Sequence, residues 1–134
     1  MTEVLFFFDT EDYVNEASTD AAMRLAQILT QENVTGHFAV VGLLAKRMME
    51  TGRQDAIEAL NRHEIGSHTY GHSLHPTICE LSEGADFGAA YERVAQSEGE
   101  GLRLIRKAFH RNEILFAVPP GNSKSYVSLY CIPN

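Results

Sequence analysis

The sequence predicts an α/β fold with a mainly parallel sheet, and three observations carry that prediction. Short apolar runs ("VLFFF", "FAVV", "ILFAV") recur along the chain. Segments with helical spacing separate them, which is the alternation that parallel βα units require. Polar clusters ("DTED", "HTYGH", "PPGN") follow three of the strand candidates, at the carboxyl ends where parallel α/β folds gather their ligands.

The elements follow in order. "VLFFF", Val4 to Phe8, is continuous and aromatic, as a strand buried on both faces would be. Ser18, Thr19 and Asp20 offer caps for a helix over Thr19 to Glu32, with Ala22, Leu25, Ala26 and Leu29 on one face. Phe38 to Val41 form a second buried strand that Gly42 ends. "LLAKRMMETG" is helical up to Gly52, "RQDAIEALNRH" is helical again, and "EIGSH" is a very short third strand. "TICELSEGADF" is rich in turn residues. The spacing from Phe87 to Phe109 is helical, with Gly99 and Gly101 weakening its middle. "ILFAV" gives a fourth strand, "PPGNSK" a loop and "YVSLYCI" a fifth strand.

Composition narrows the function. A chain of 134 residues makes one domain, and 44% hydrophobic with 22% charged residues is ordinary for a globular protein. Eighteen acidic against eleven basic residues give a net charge of -7. That balance argues against a sequence-independent grip on nucleic acid, which needs cations to displace counterions from phosphates. No apolar run approaches a membrane span, so no membrane partner is expected. The N-terminal apolar run lacks the basic start and length of a secretory signal, leaving the cytoplasm as the default location. Cys79 and Cys131 are too few and too far apart for a disulfide framework and read as free thiols.

Four of the six histidines lie in "HEIGSHTYGHSLH", His63 to His75. His68 and His72 stand four apart, so a helical turn after the strand would aim both rings at one divalent cation. Imidazole with carboxylate suits zinc, and also cobalt, nickel or iron. Asp9, Glu11 and Asp12 supply the carboxylates. On an extended strand end Asp9 and Glu11 share a face, which suggests Glu11 as ligand and Asp9 as a base for water. Asp12 is the rival ligand if the backbone turns directly after Thr10. Two imidazoles and one carboxylate leave a coordination position open, as catalytic zinc sites do. The other histidines read otherwise: His37 as a packed or surface ring, His63 as a helix-end ring suited to the macrodipole, His75 as a loop stiffener, and His110 as a solvated helix end.

"FFFDTEDY", "TGHFAVVG", "HEIGSHTYGH" and the "PPG" turn, in that order, resemble the polysaccharide deacetylases, carbohydrate esterase family 4. His68-Thr69-Tyr70-Gly71-His72 meets the family's H-[ST]-x-x-H motif in full. The resemblance implies a distorted (β/α) TIM-like barrel, a divalent metal with zinc first, and hydrolysis of N- or O-acetyl groups on an amino sugar. It implies Asp9 as the base, Glu11, His68 and His72 as metal ligands, and Pro119, Pro120 and Gly121 as the substrate and oxyanion loop. Val118 stands where the family's third motif carries an Arg that orients the base, and Lys124 is the basic residue of the same loop. The family's late Leu-x-His, which supplies a general acid, has no counterpart, since no His follows His110. The resemblance therefore covers about the first two-thirds of the family domain, residues 1–134 forming one incomplete barrel. An incomplete barrel leaves an open apolar edge, so a homo-oligomer or a missing C-terminal segment is expected to cover it. The alternative function is a catalytically weak metal-binding relative acting as a binding or regulatory module.

Overall fold

The computed structural model describes residues 2–131. A three-stranded parallel sheet lies at the centre, in the order β1 (Phe6–Thr10), β2 (Gly36–Val40), β3 (Glu64–Ser67). The pairing aligns Asp9 with Ala39 and Val40 with Ser67, which brings the exits of β1 and β3 to the same end of the sheet. Helices α1 (Glu16–Gln31), α2 (Gly42–Glu50) and α3 (Gln54–Leu60) make the crossovers, and α5 (Phe87–Phe109) follows a short α4 (Ile78–Leu81). Phe38, Val40 and Ile65 leave the sheet to meet Leu44, Met48, Leu60, Ile105 and Phe109 in one core. Among the described residues no helix is long and apolar enough to cross a membrane.

β2 is the central strand and nearly fully buried, as its apolar run requires. β1 differs from its prediction: it begins at Phe6, and Phe6 and Phe7 are about half exposed. The reason is its place at the sheet edge, where β2 covers one side and no described strand covers the other. Helix α1 starts earlier than Thr19, because the Asn15 carboxamide accepts from the Ala17 N–H and caps it there.

His63 corrects the reading of a helix-end ring. It is buried and stitches α1 to β2: the Ala26 carbonyl, 2.8 Å from Nε2, can only accept, so Nε2 carries the proton and Nδ1 accepts from the Gly36 N–H. Burial with both ring nitrogens bonded explains a histidine there.

"ILFAV" does not form a full strand. It makes one parallel bridge, Ser67 to Ala117, with Ser67 N–H donating to the Phe116 carbonyl and Val118 N–H to the Ser67 carbonyl. A cavity of about 760 Å³ separates this segment from α5; Ile114 packs against the core, but Leu115 is exposed and lacks the packing that holds a strand in register. The fifth strand is instead helix α6 (Tyr126–Cys131), with Ile132 outside the described residues. Ser125 Oγ accepts from Ser128 N–H while Ser128 Oγ accepts from Ser125 N–H, a reciprocal cap that starts a helix. Val127 and Cys131, four apart, then pack with Ala90 and Val94 of α5.

Candidate metal centre

The segment between His68 and His72 is not the helical turn that the spacing predicts. Thr69 has φ 69° and His72 φ 52°, both left-handed, and the chain folds back in a tight turn. For a β-branched residue such a φ costs on the order of 1–3 kcal/mol, so the surroundings must impose it. They do: Gly42 N–H donates to the Thr69 carbonyl at 3.0 Å and Leu43 N–H to the Tyr70 carbonyl at 2.9 Å. Thr69 Oγ1 accepts from the His72 N–H at 3.2 Å and closes the turn. The two rings meet through this turn, their centroids 5.1 Å apart.

Glu11, just past β1, points at both rings. Its Oε2 lies 2.9 Å from His72 Nε2 and 3.3 Å from His68 Nε2. One ligand atom from each of Glu11, His68 and His72 falls within 4.8 Å of the others. Asp9 stands off this set, its Oδ2 4.0 Å from His68 Nε2. Both carboxylates are about half exposed, whereas His68 is 1% exposed.

His68 decides what the cluster suits. Its Nδ1 lies 2.6 Å from the Val118 carbonyl, which can only accept, so Nδ1 carries the proton. In the neutral ring Nε2 is then a lone pair, buried, without a hydrogen-bond partner, and facing a carboxylate oxygen. Two lone pairs at 3.3 Å repel each other unless a proton or a metal cation lies between them. Ring N–H to backbone carbonyl is also the contact that fixes the tautomer of metal-ligating histidines. His72 Nδ1 meets the Ser73 hydroxyl, which leaves its Nε2 toward Glu11. The donor set therefore fits a divalent cation that accepts nitrogen and oxygen ligands.

Asp12 is placed elsewhere. Its Oδ1 accepts from Val14 and Asn15 N–H and its Oδ2 from the Ser18 hydroxyl at 2.7 Å, which ties down the entry to α1. Those bonds hold its carboxyl below the usual carboxylate range, the Ser18 bond most of all. Pro119, Pro120 and Gly121 form a turn that starts beside the centre, because the preceding Val118 carbonyl holds His68. The two prolines have no N–H, and the Val118, Asn122 and Ser123 amides bond within the fold, so Gly121 is the amide that those bonds do not use. Among the described residues no Lys or Arg pairs with Asp9; Lys124 is exposed and makes no ion pair. His75 pairs with Glu80 at 2.8 Å, His110 caps α5 in a left-handed conformation, and His37 packs between Phe7 and Phe116.

Sequence reasoning missed the Val118 carbonyl, because a valine advertises no chemistry. It also missed Glu98 of α5, buried beside the turn, whose Oε1 accepts from the Tyr70 N–H at 3.3 Å. The signal for Glu98 was an acidic residue on the buried side of a glycine-interrupted helix.

Fold and cluster together define a class: parallel α/β proteins that collect imidazole and carboxylate where the strands end. The chain belongs to the polysaccharide deacetylase family, whose sequence profile matches residues 2–130. Its fold is that of a carbohydrate esterase family 4 pseudoenzyme from Bacillus anthracis, with a TM-score of 0.68 and 16% identity over 95% of this chain and 38% of that one. A mutant of that protein with restored enzymatic activity aligns equally well, covering 39% of its chain. The peptidoglycan deacetylase PdaC from Bacillus subtilis, solved as a mutant, aligns with a TM-score of 0.65 and 15% identity, over 96% of this chain and 54% of that one. The chain thus spans 38–54% of the length of these structures, whose fold is a distorted (β/α) barrel. A comparison with curated protein sequences gives no match.

Proposed function

We propose that the chain carries the metal site of a polysaccharide-deacetylase-type hydrolase that removes N- or O-acetyl groups from an amino sugar. The observation that carries the reading is the buried, partnerless Nε2 of His68 facing the Glu11 carboxylate. Glu11, His68 and His72 would hold the ion, zinc first and cobalt, nickel or iron after it. What a divalent cation supplies in such a site is Lewis acidity: a polarised acetyl carbonyl and a lower pKa for water.

The chain's own residues do the rest. The Val118 carbonyl keeps the His68 proton on Nδ1, so that Nε2 is available as a ligand. Asp9, outside the ligand set, takes the proton of the attacking water and passes it to the departing nitrogen or oxygen as the acyl bond breaks. The turn of Pro119, Pro120 and Gly121 borders the reacting carbonyl, with the Gly121 N–H as its donor for the oxyanion. Residues 1–134 act in this reading as one domain, a portion of the family barrel. A second copy or a further segment of that barrel would cover Val4, Leu5, Phe6 and Phe7 along the open β1 edge.

The test is acetate release from an acetylated chito-oligomer after loading with zinc or cobalt. Chelator-sensitive release is expected; its absence in protein that holds one zinc refutes the hydrolase reading. A second reading, a metal-binding module with little turnover, is favoured by one feature: Asp9 has no cationic partner among the described residues where the family's Arg is replaced by Val118. Tight zinc binding without acetate release would select it.

A further inference from the structure

We propose that helix α5 is the seat of the ligand-bearing turn and that Glu98 is a positioning residue for the cation site, fixing the Tyr70 peptide midway between His68 and His72. The inference rests on the metal reading above and adds to it a residue on a different element, thirty positions away in sequence from His68.

The Tyr70 peptide is clamped from both sides. Its carbonyl accepts from Leu43 N–H at the start of α2, and its N–H donates to Glu98 Oε1 on α5. One turn further along α5, Gly101 lets the backbones touch: a Cβ there would stand 3.0 Å from Tyr70 Cα and 3.2 Å from its nitrogen. Gly42 completes the junction, since a Cβ on it would fall 2.7 Å from Gly101 Cα and 3.2 Å from the Tyr70 oxygen. Two glycines and one acceptor therefore define the position of a peptide flanked by left-handed Thr69 and His72. Strained conformations of this kind persist only where their neighbours over-determine them.

Glu98 has no other evident reason to be acidic. It is 7% exposed, and burial pushes its carboxyl up to about 7. A leucine or methionine would fill the same space without burying an ionisable group, so packing alone disfavours a glutamate. What the apolar residues lack is an acceptor for the Tyr70 N–H. A carboxyl offers one whether or not it is ionised, and so does the amide of glutamine. Gly99, with nothing within 4 Å of its added Cβ, has no part in the seat and serves as the internal control.

The experiment measures zinc affinity and the cobalt(II) absorption spectrum of the full chain and four variants, with amide exchange at Tyr70 as a readout independent of metal. Glu98→Gln should keep zinc affinity within about threefold and leave the cobalt spectrum unchanged. Glu98→Leu should lose roughly 10- to 100-fold in affinity, the range for residues that orient metal ligands, alter the cobalt spectrum and expose the Tyr70 amide to exchange. Gly101→Ala, which presses on the same peptide, should weaken zinc binding as well, and Gly99→Ala should not. Folded Glu98→Leu protein that binds zinc and cobalt as the unaltered chain does would overturn the inference and leave the metal site standing. If Glu98→Leu does not fold, unchanged binding by Gly101→Ala overturns it. Failure of the unaltered chain to bind either ion would overturn both.

Discussion

Replacing Glu98 by Gln should make the protein more stable, by an amount that grows with pH. Burial raises the folded-state pKa of Glu98 from 4.5 to about 7, the Tyr70 N–H opposing it only in part. With the folded value above the unfolded one, the native protein holds the extra proton between those pH values. Its stability therefore falls as pH rises through that window, opposite to a salt-bridged carboxylate. The gap between 4.5 and 7 corresponds to about 3 kcal/mol, lost in full above pH 7. The residue is 7% exposed but borders the cavity beside α5, so that free energy is an upper value. Arg106, Glu113 and Cys131 line the same cavity, and the Cys131 thiol is held up by burial and by the Glu98 charge. Glutamine keeps the acceptor and cannot ionise. Thermal or urea unfolding of the metal-free protein at pH 4, 5, 6, 7 and 8 should show near-equal stabilities at pH 4. By pH 8 Glu98→Gln should lead by about 3 kcal/mol, roughly 10 °C in Tm for a chain of this size. A difference that is flat across that range, or that narrows with rising pH, refutes the assignment of a buried, ionisable carboxyl to this position.

Other outcomes follow from the same structure. His72→Ala should cost zinc affinity more than the roughly 10–100-fold typical of residues behind the ligands, and titration calorimetry with zinc measures it. Gly66→Ala places a Cβ 2.2 Å from the Phe116 ring that lies over β3, so the ring must move. A loss of about 1–3 kcal/mol in urea unfolding is the expected cost of such overpacking. Val118→Arg should raise acetate release if a missing cationic partner limits Asp9, while zinc affinity stays unchanged, since His68 is held by the backbone carbonyl of residue 118. His63→Phe should destabilise by roughly 1–3 kcal/mol, because the Gly36 N–H and Ala26 carbonyl lose their buried partner.

The two halves of the metal cluster illustrate what a sequence reveals. The His-x-x-x-His spacing and the acids after the first apolar run were enough to nominate Glu11, His68 and His72, although for a partly wrong reason. The two rings meet through a tight turn with left-handed Thr69 and His72, which local spacing alone does not encode. Asp12 was the rival to Glu11 in sequence, should the backbone turn directly after Thr10; its bonds to Ser18 and to the amides of Val14 and Asn15 separate the two. "YVSLYCI" read as a strand because its apolar residues are dense, yet Ser125 and Ser128 were a visible capping pattern that outweighs them. Gly99 and Gly101 looked like defects of one helix, and only their neighbours distinguish the seat of Tyr70 from open space.

By itself, then, the sequence determined the alternation of strands and helices, the buried second strand and the ligand types placed after the strands. Those properties depend on side-chain chemistry and short-range periodicity, which a linear chain displays directly. The tertiary structure alone decided that β1 is a half-exposed edge, that His63 is a core stitch, and that Val118 and Glu98 stand behind the candidate centre. Each depends on backbone groups and burial contributed by residues tens of positions away, and no local pattern records which carbonyl or amide will arrive there.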